Sequence, residues 1–361
     1  MDHLRHFGLS EDPFRDELRV RDFCETRVAR DALLRVERGL RQGRGLGIVS
    51  GEPGSGKSML LRRILDGLEE EVFEASMLVV LPGAAEAGGL LARFARHLGV
   101  EEPAAERQAL LGQIFERLAI VREEGRQAVL FVDDADVLGR GGALAELIGL
   151  LRLEYEDRRL LSLVLAGSSG LDAAIGGDRA LAHRTDFRGR LESLDPQDAA
   201  SYLTHRIQNA GGDPGILAPD AVEAIHRLGL GLPGLMNRLA DNALFEAFLC
   251  GRGRATAADV ECAHRDLGFD APPQTPPRAP AHEEPAAPGP WQTGAESPPE
   301  PADGEPLPAL LDPFEADDDS LGDLDSELEA IFEGVDARPV PAHGRSRVER
   351  GQPLMARLLE D

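Results

Sequence analysis

The segment at residues 51–58, which reads GEPGSGKS, constrains the fold of this chain more than any other. It fits the pattern G-x-x-x-x-G-K-[ST] at every fixed position. A short apolar run at residues 46–50 precedes it, and residues 59–68 follow with leucine and isoleucine at helical spacing. A strand, a glycine-rich turn and a helix in this order predict a loop that binds the phosphates of a nucleoside triphosphate.

Lys57 is the only lysine among the 361 residues, since every other basic residue is an arginine. A compact ammonium fits between β- and γ-phosphate oxygens inside a tight backbone ring, where a planar guanidinium would not. We therefore expect Lys57 to contact the reacting phosphates and Ser58 to bind Mg²⁺ through its hydroxyl. The predicted nucleotide-binding residues are Gly51, Glu52, Pro53, Gly54, Ser55, Gly56, Lys57, Ser58 and Met59.

Apolar runs alternate with helical patterns through the first half of the chain. Strands are predicted near residues 76–81, 128–133 and 160–166, and helices near 86–98 and 104–122. One complete strand thus separates the glycine-loop strand from the next acidic strand, as in P-loop proteins that insert a strand between the two. Strands that are apolar throughout predict an α/β fold, in which helices cover both faces of a parallel P-loop sheet.

Strand signals stop near residue 195. Helices predicted near residues 199–209, 219–228, 233–249 and 257–266 then form a small helical lid. We therefore expect a nucleotide-binding core at residues 1–194 and a lid at residues 195–270.

Two carboxylates, Asp133 and Asp134, end the apolar run at residues 128–132. We expect this strand to end beside the glycine loop, so that Asp133 joins Ser58 in holding Mg²⁺. Asp134 is expected to orient or deprotonate the attacking water, although Asp is one methylene shorter than Glu. The alternative is that both are solvated charges at an exposed strand end.

Ser168 follows the last predicted strand, where its hydroxyl is placed to contact a γ-phosphate or the attacking water. A serine in an ordinary loop is an equally good interpretation. Arginines at positions 179, 184, 188 and 190 lie between this strand and the lid. Any one of them is a candidate arginine finger for a neighbouring subunit's nucleotide, and we assign that catalytic role to Arg184. Solvated surface arginines are the alternative.

The composition changes at about residue 271, beyond which most of the 25 prolines and many acidic residues fall. Such a segment has too little apolar surface to offset the entropy of ordering, so we predict a disordered, acidic, Pro-rich tail at residues 271–361. Apolar islands near residues 320–333 and 353–360 predict short helical segments that either fold into a partner's groove or bind nothing.

The formal net charge of −25 argues against sequence-independent binding of nucleic acid, unless a local arginine cluster supplies it. The N-terminus has no apolar signal region, and no run approaches the length of a membrane helix, so we expect a cytoplasmic protein without a membrane span. Cys24, Cys250 and Cys262 lack metal-ligand spacing and predict neither a disulfide framework nor a zinc site.

Together these residues resemble a bacterial AAA+ ATPase of the secretion-associated type called general secretion pathway protein A, or ExeA. Residues 6–14 match that family's aromatic-Gly-Leu…Pro-Phe signature, and residues 133–138 match its acidic strand end except at the Glu. Lid segments 195–206, 231–237 and 256–260 also match. The resemblance covers about residues 1–268. It implies binding of ATP with Mg²⁺, a homo-oligomer joined through its nucleotide sites, and hydrolysis coupled to assembly or remodelling of a protein complex through the lid or the tail.

Two departures from that family affect turnover. Asp134 stands where the family has its catalytic Glu, and Gly234 stands where it has the arginine that senses the γ-phosphate. Arg238, one helical turn further on, is a candidate substitute. The secretion members also continue into a membrane span and a peptidoglycan-binding domain, which have no counterpart in this sequence. The alternatives are therefore a slowly hydrolysing switch or adaptor that acts through the acidic tail, and a DNA-associated AAA+ helper of transposition or replication type.

Overall fold

A computed structural model describes residues 2–80, 87–140, 142–177 and 179–268. The predicted tail and its two short helical segments lie outside these residues.

Strands of the described ranges form one central sheet and one small hairpin. Their bounds are β1 Leu46–Gly51, β2 Phe73–Val79, β3 Gln127–Asp133, β4 Glu154–Tyr155, β5 Arg158–Arg159, β6 Leu161–Gly167 and β7 Thr185–Leu191. The hairpin pairs β4 with β5 in antiparallel fashion. The sheet has the order β2-β3-β6-β1-β7, and every pairing in it is parallel. The α/β fold class is confirmed.

Helices surround the sheet and continue beyond it. Their bounds are α1 Asp2–His6, α2 Arg27–Arg41, α3 Lys57–Gly67, α4 Ala87–His97, α5 Arg107–Glu123, α6 Ala143–Gly149, α7 Ser169–Gly177, α8 Arg179–Arg184, α9 Pro196–Asn209, α10 Pro219–Leu228, α11 Pro233–Leu249 and α12 Ala257–Asp266. Short 3-10 helices lie at Val20–Asp22, Ala135–Arg140, Leu150–Arg152 and Pro214–Ile216.

Both faces of the sheet are buried because successive side chains of a strand point to opposite faces. Ile48 and Leu165 pack into one apolar cluster with α4, α5 and α6. Their neighbours Val49 and Val164 pack into a second cluster with α2 and α3. This double covering explains why the central strands read as continuous apolar runs.

Strand β7 was not predicted from the sequence. It lies at the sheet edge beside β1, and its charged residues gave it the pattern of a solvated arginine segment. Phe187 provides its apolar anchor and packs against Gly47 and Gly39. A Cβ at Gly47 would lie 2.0 Å from the Phe187 ring, so the ring occupies space that only glycine leaves.

Helix α2 was also not predicted. The Thr26 hydroxyl accepts a hydrogen bond from the Ala29 N–H and caps its N-terminus. Ala32, Val36 and Leu40 recur on one buried face at helical spacing. The helix therefore covers the sheet beside β1 and β7.

The lid consists of α9 to α12 and includes residues from the start of the chain. Phe7, Leu9 and Phe14 are buried in the lid's apolar cluster, with Leu203 and Leu239 among its members. The N-terminal segment thus packs with the lid, although it precedes the sheet in sequence. The boundaries at residues 194 and 270 stay predictions. Over the described ranges, no helix has the length and apolar character required to cross a membrane.

Candidate nucleotide-binding site

The glycine loop connects the end of β1 to the first residue of α3. Gly54 and Gly56 have φ values of 81° and 99°, in the left-handed region that glycine adopts without steric cost. The N–H of Ser55 donates to the Glu52 carbonyl at 3.0 Å and tightens the turn. Because α3 begins at Lys57, the N–H groups of its first turn are available to an anion at the loop.

Lys57 folds back over this loop. Its Nζ donates to the carbonyl oxygens of Gly51 at 2.8 Å and Glu52 at 3.1 Å. The Glu52 side chain accepts a hydrogen bond from the Ser169 hydroxyl at 2.9 Å. The ammonium is therefore held at the loop by neutral carbonyl oxygens. A charged phosphate oxygen would accept a stronger hydrogen bond from it.

Asp133 lies at the end of β3 and is 3% exposed. Strand β6 separates β3 from β1, so Asp133 approaches the loop across one intervening strand and not from a directly paired one. Burial raises the pKa of Asp133, and the negative charge of Asp134 adds to the rise. A hydrogen bond from Ser58 and the charge of Lys57 act in the opposite direction. The structure thus brings Asp133, Ser58 and Lys57 together.

These residues fit a nucleotide with Mg²⁺. The Asp133 carboxylate and the Ser58 hydroxyl are the hard oxygen ligands that Mg²⁺ prefers. Asp133 forms no ion pair with any arginine of the described residues, so a cation there would compensate a buried charge. The buried Ser55 hydroxyl likewise has no hydrogen-bond partner in that part of the chain and lines the cavity.

The cavity beside the loop has a volume of about 480 Å³, within the range of small-molecule sites. The loop, the N-terminal segment around Phe23 and Cys24, and the lid residues Tyr202 and Asn237 all line it. Burial raises the pKa of the Cys24 thiol to about 11. These N-terminal and lid residues were not predicted as part of the site, although the signature at residues 6–14 marks the N-terminal segment.

Asp134 and Ser168 both line the cavity. Asp134 is exposed and has a φ of 55°, a left-handed conformation that Asp tolerates better than most residues. The Ser168 hydroxyl does not point freely towards a ligand, because it donates to Asp136 Oδ1 at 2.6 Å. Asp136 also lines the cavity. It was not predicted as a site residue, and its closeness in sequence to Asp133 and Asp134 was the only indication.

Arg184 lies far from the loop of its own chain. It precedes Thr185, which pairs with Leu46 at the start of β1, whereas the glycine loop follows the end of that strand. At about 3.3 Å per residue, the separation is roughly 15–20 Å. Among the described residues Arg184 forms no ion pair. Burial lowers the pKa of Arg152, and the positive charge of Arg184 lowers it further.

The other candidate arginines differ from Arg184. Arg188 and Arg190 both form ion pairs with Asp172 of α7, the latter at 3.0 Å. Arg179 is exposed. Arg188 and Arg190 are therefore paired cations and not free ones.

The lid touches the loop through main-chain atoms. The N–H of Gly234, in the first turn of α11, donates to the Gly54 carbonyl at 2.9 Å. A Cβ at Gly234 would lie 3.0 Å from the Gly54 Cα, so a side chain here would press on the loop. Arg238 is exposed and does not line the cavity, whereas Asn237 does. Arg238 is therefore not placed to replace the missing arginine in this conformation.

Comparisons with known proteins bear on the family and the fold of the chain. A sequence model of the AAA domain family matches residues 40–175. General secretion pathway protein A of Aeromonas hydrophila is 31% identical over 263 residues, which are 72% of this chain and 48% of that protein. The ORC1-type DNA replication protein of Cenarchaeum symbiosum (strain A) is 29% identical over 172 residues, 45% of this chain and 40% of that protein. This chain thus spans about half or less of these curated relatives.

Solved structures share the fold. Cdc6p from Pyrobaculum aerophilum has a TM-score of 0.53 at 19% identity, over 73% of this chain and 71% of that one. The ORC1 protein of Aeropyrum pernix, solved in complex with DNA, has a TM-score of 0.54 at 19% identity, over 73% and 69%. Residues 40–175 thus match the AAA domain family, and the chain has the P-loop NTPase fold and resembles general secretion pathway protein A.

Proposed function

We propose that this chain binds ATP with Mg²⁺ between its core and its lid, hydrolyses it, and couples the lid position to assembly or remodelling of a protein complex. One observation carries the proposal. The glycine loop with Ser58, which hydrogen-bonds the buried Asp133, and the first turn of lid helix α11 line the same cavity.

Different residues bind the phosphates, hold Mg²⁺ and orient the attacking water. Main-chain N–H groups of the loop and of α3 bind the phosphates, and Lys57 leaves its carbonyl acceptors to contact the β- and γ-phosphate oxygens. Ser58 and Asp133 would hold Mg²⁺, which neutralises charge on those oxygens when bound. Asp134, exposed beside the cavity, orients the attacking water.

We further propose that the working form is a homo-oligomer in the cytoplasm. Arg184 is too far from the loop of its own chain to contact the nucleotide there, so as an arginine finger it would act on a neighbouring subunit. A protein partner would bind the lid or the acidic tail.

The test is ATP turnover measured together with mass in solution, with and without MgATP. We expect hydrolysis above background and a larger assembly with MgATP, and we expect Lys57→Ala to abolish turnover. Asp31→Asn, an exposed substitution on α2, is the matched control. A wild-type monomer that binds ATP without turning it over would contradict the motor function.

A slowly hydrolysing switch is a second candidate, favoured by Asp134 and by the Gly234 contact in place of an arginine. Losing one transition-state contact reduces the rate while leaving nucleotide binding largely intact. If Asp134 limits the rate, Asp134→Glu raises turnover at unchanged ATP affinity. No rise would count against an attenuated enzyme.

A DNA-associated role is a third candidate, which the relatives favour. One curated relative is a DNA replication protein, and Drosophila ORC and the Aeropyrum pernix ORC1 protein are described as bound to DNA. The net charge predicts that nucleic acid is an unsuitable partner. These relatives give that expectation no support. A duplex that this chain retards at physiological salt, with affinity falling as salt rises, would favour this role.

A further inference from the structure

Asp136 and Ser168 form a pair at the edge of the cavity. Asp136 lies in the 3-10 helix after β3, and Ser168 directly follows β6. Because β6 lies between β1 and β3, Ser168 has the glycine loop on one side and the carboxylates of the β3 end on the other. This is where a water molecule would approach a bound γ-phosphate.

Two hydrogen bonds fix the pair. The Ser168 N–H donates to Asp136 Oδ2 at 2.7 Å, and the Ser168 hydroxyl donates to Oδ1 at 2.6 Å. The Gly170 N–H donates to Ser168 Oγ at 3.1 Å. A serine hydroxyl has one proton and two lone pairs. Ser168 therefore has no proton left for a phosphate oxygen, and it keeps one lone pair as an acceptor.

Gly167 provides the space that the pair needs. A Cβ at this position would lie 2.8 Å from Asp136 Oδ2 and 2.6 Å from the end of the Leu171 side chain. A side chain at residue 167 would displace the Asp136 carboxylate from the Ser168 N–H. The absence of a side chain at the last residue of β6 thus lets the Asp136 carboxylate of the 3-10 helix reach the Ser168 N–H.

We propose that Asp136 is a positioning residue for hydrolysis: its carboxylate holds the Ser168 hydroxyl as an acceptor for the attacking water. This inference rests on the proposed ATPase function. The water donates one proton to Ser168 Oγ and the other to Asp134, which leaves its lone pairs directed at phosphorus. Ser168 thus binds the water and not the γ-phosphate, and Asp136 acts only through Ser168.

Asp136→Asn tests the proposal. An amide has one acceptor oxygen and a donor NH₂ group, so it cannot offer a separate acceptor oxygen to each of the two Ser168 donors. We expect kcat to fall about 10- to 100-fold while the Kd for MgATP changes less than about 2-fold. Ser168→Ala is expected to lower kcat by a similar factor. Ser168→Thr, which keeps the hydroxyl, is expected to stay within a few-fold of wild type.

The double variant Asp136→Asn/Ser168→Ala distinguishes positioning from independent structural effects. Because the two residues act as one unit, we expect its kcat to be no lower than that of either single variant. Asp31→Asn is the control for removal of an exposed carboxylate away from the cavity.

Three results would overturn the proposal. The first is wild-type kcat in Asp136→Asn, and the second is a double variant whose loss equals the product of the two single losses. The third is a Kd that rises in proportion to the loss of kcat. A wild-type chain without turnover that depends on Lys57 would instead overturn the ATPase function and this proposal with it.

Discussion

At the scale of single residues, Asp133 combines burial with a charge that a ligand is expected to compensate. The pKa of Asp133 is raised in the folded chain, so the folded state holds the proton more tightly than the unfolded chain does. Stability of the nucleotide-free protein therefore falls as pH rises from the ordinary pKa of Asp through the raised one. Above that window both states are ionised and the penalty of the buried charge is complete.

Asp133→Asn removes this penalty. We expect the nucleotide-free variant to have a Tm a few degrees higher than wild type at pH 7. The difference should shrink as the pH is lowered through the raised pKa, since the wild-type carboxyl is then neutral. The same variant should lose the stabilisation that MgATP gives to wild type. Thermal unfolding between pH 4 and 7 measures both effects, with Asp31→Asn as the control. A lower Tm at pH 7 would show that Asp133 has a stabilising partner instead.

At the scale of elements, α11 contacts the glycine loop through the main-chain N–H of Gly234. The resembled family has an arginine side chain at this position. Gly234→Ala places a methyl 3.0 Å from the Gly54 Cα, and main chain of a tight loop cannot yield as a flexible side chain does. We expect this substitution to weaken MgATP binding several-fold, and Gly234→Arg, which restores the residue of the resembled family, to weaken it at least as much. Calorimetric titration of both variants gives the affinities.

Gly112→Ala is the matched control for that experiment. Gly112 lies within α5 with no atom near its added Cβ, so alanine should stabilise the helix by about 0.5–1 kcal/mol and leave MgATP affinity unchanged. Tighter binding in Gly234→Arg would mean that the lid moves to let the arginine reach the γ-phosphate, and would refute the main-chain contact as the binding arrangement.

At the scale of the whole molecule, the position of Arg184 at the far end of β1 predicts a site shared between subunits. Arg184→Ala and Lys57→Ala should each lose most of their turnover, and the finger is worth about 10³ or more in rate. Mixing the two variants should restore part of it, because Lys57→Ala subunits supply Arg184 to the intact loops of their neighbours. Turnover of mixtures at varied ratios measures this. No recovery in a mixture that forms assemblies with MgATP would contradict a finger in trans.

Sequence patterns were sufficient for the elements whose signal is local. The glycine loop follows from fixed spacing, and β1, β3 and β6 follow from apolar runs that burial on both faces requires. The lid helices α10, α11 and α12 begin and end as their proline and apolar spacing predicted. Strand β7 was not predicted because its only large apolar residues are Phe187 and Leu191, separated by charged residues and a glycine.

The sequence by itself determined a glycine loop between a strand and a helix, with Lys57 and Ser58 at the helix start and Asp133 at a strand end. Only the tertiary structure decided what meets that loop. Strand order places Ser168 between the loop and Asp136, and helix packing brings Gly234 onto Gly54. These contacts join residues distant in sequence through main-chain atoms and through the space that glycines leave. The Ser168–Asp136 and Gly234–Gly54 contacts leave no spacing pattern in the sequence, so they could not be predicted from it.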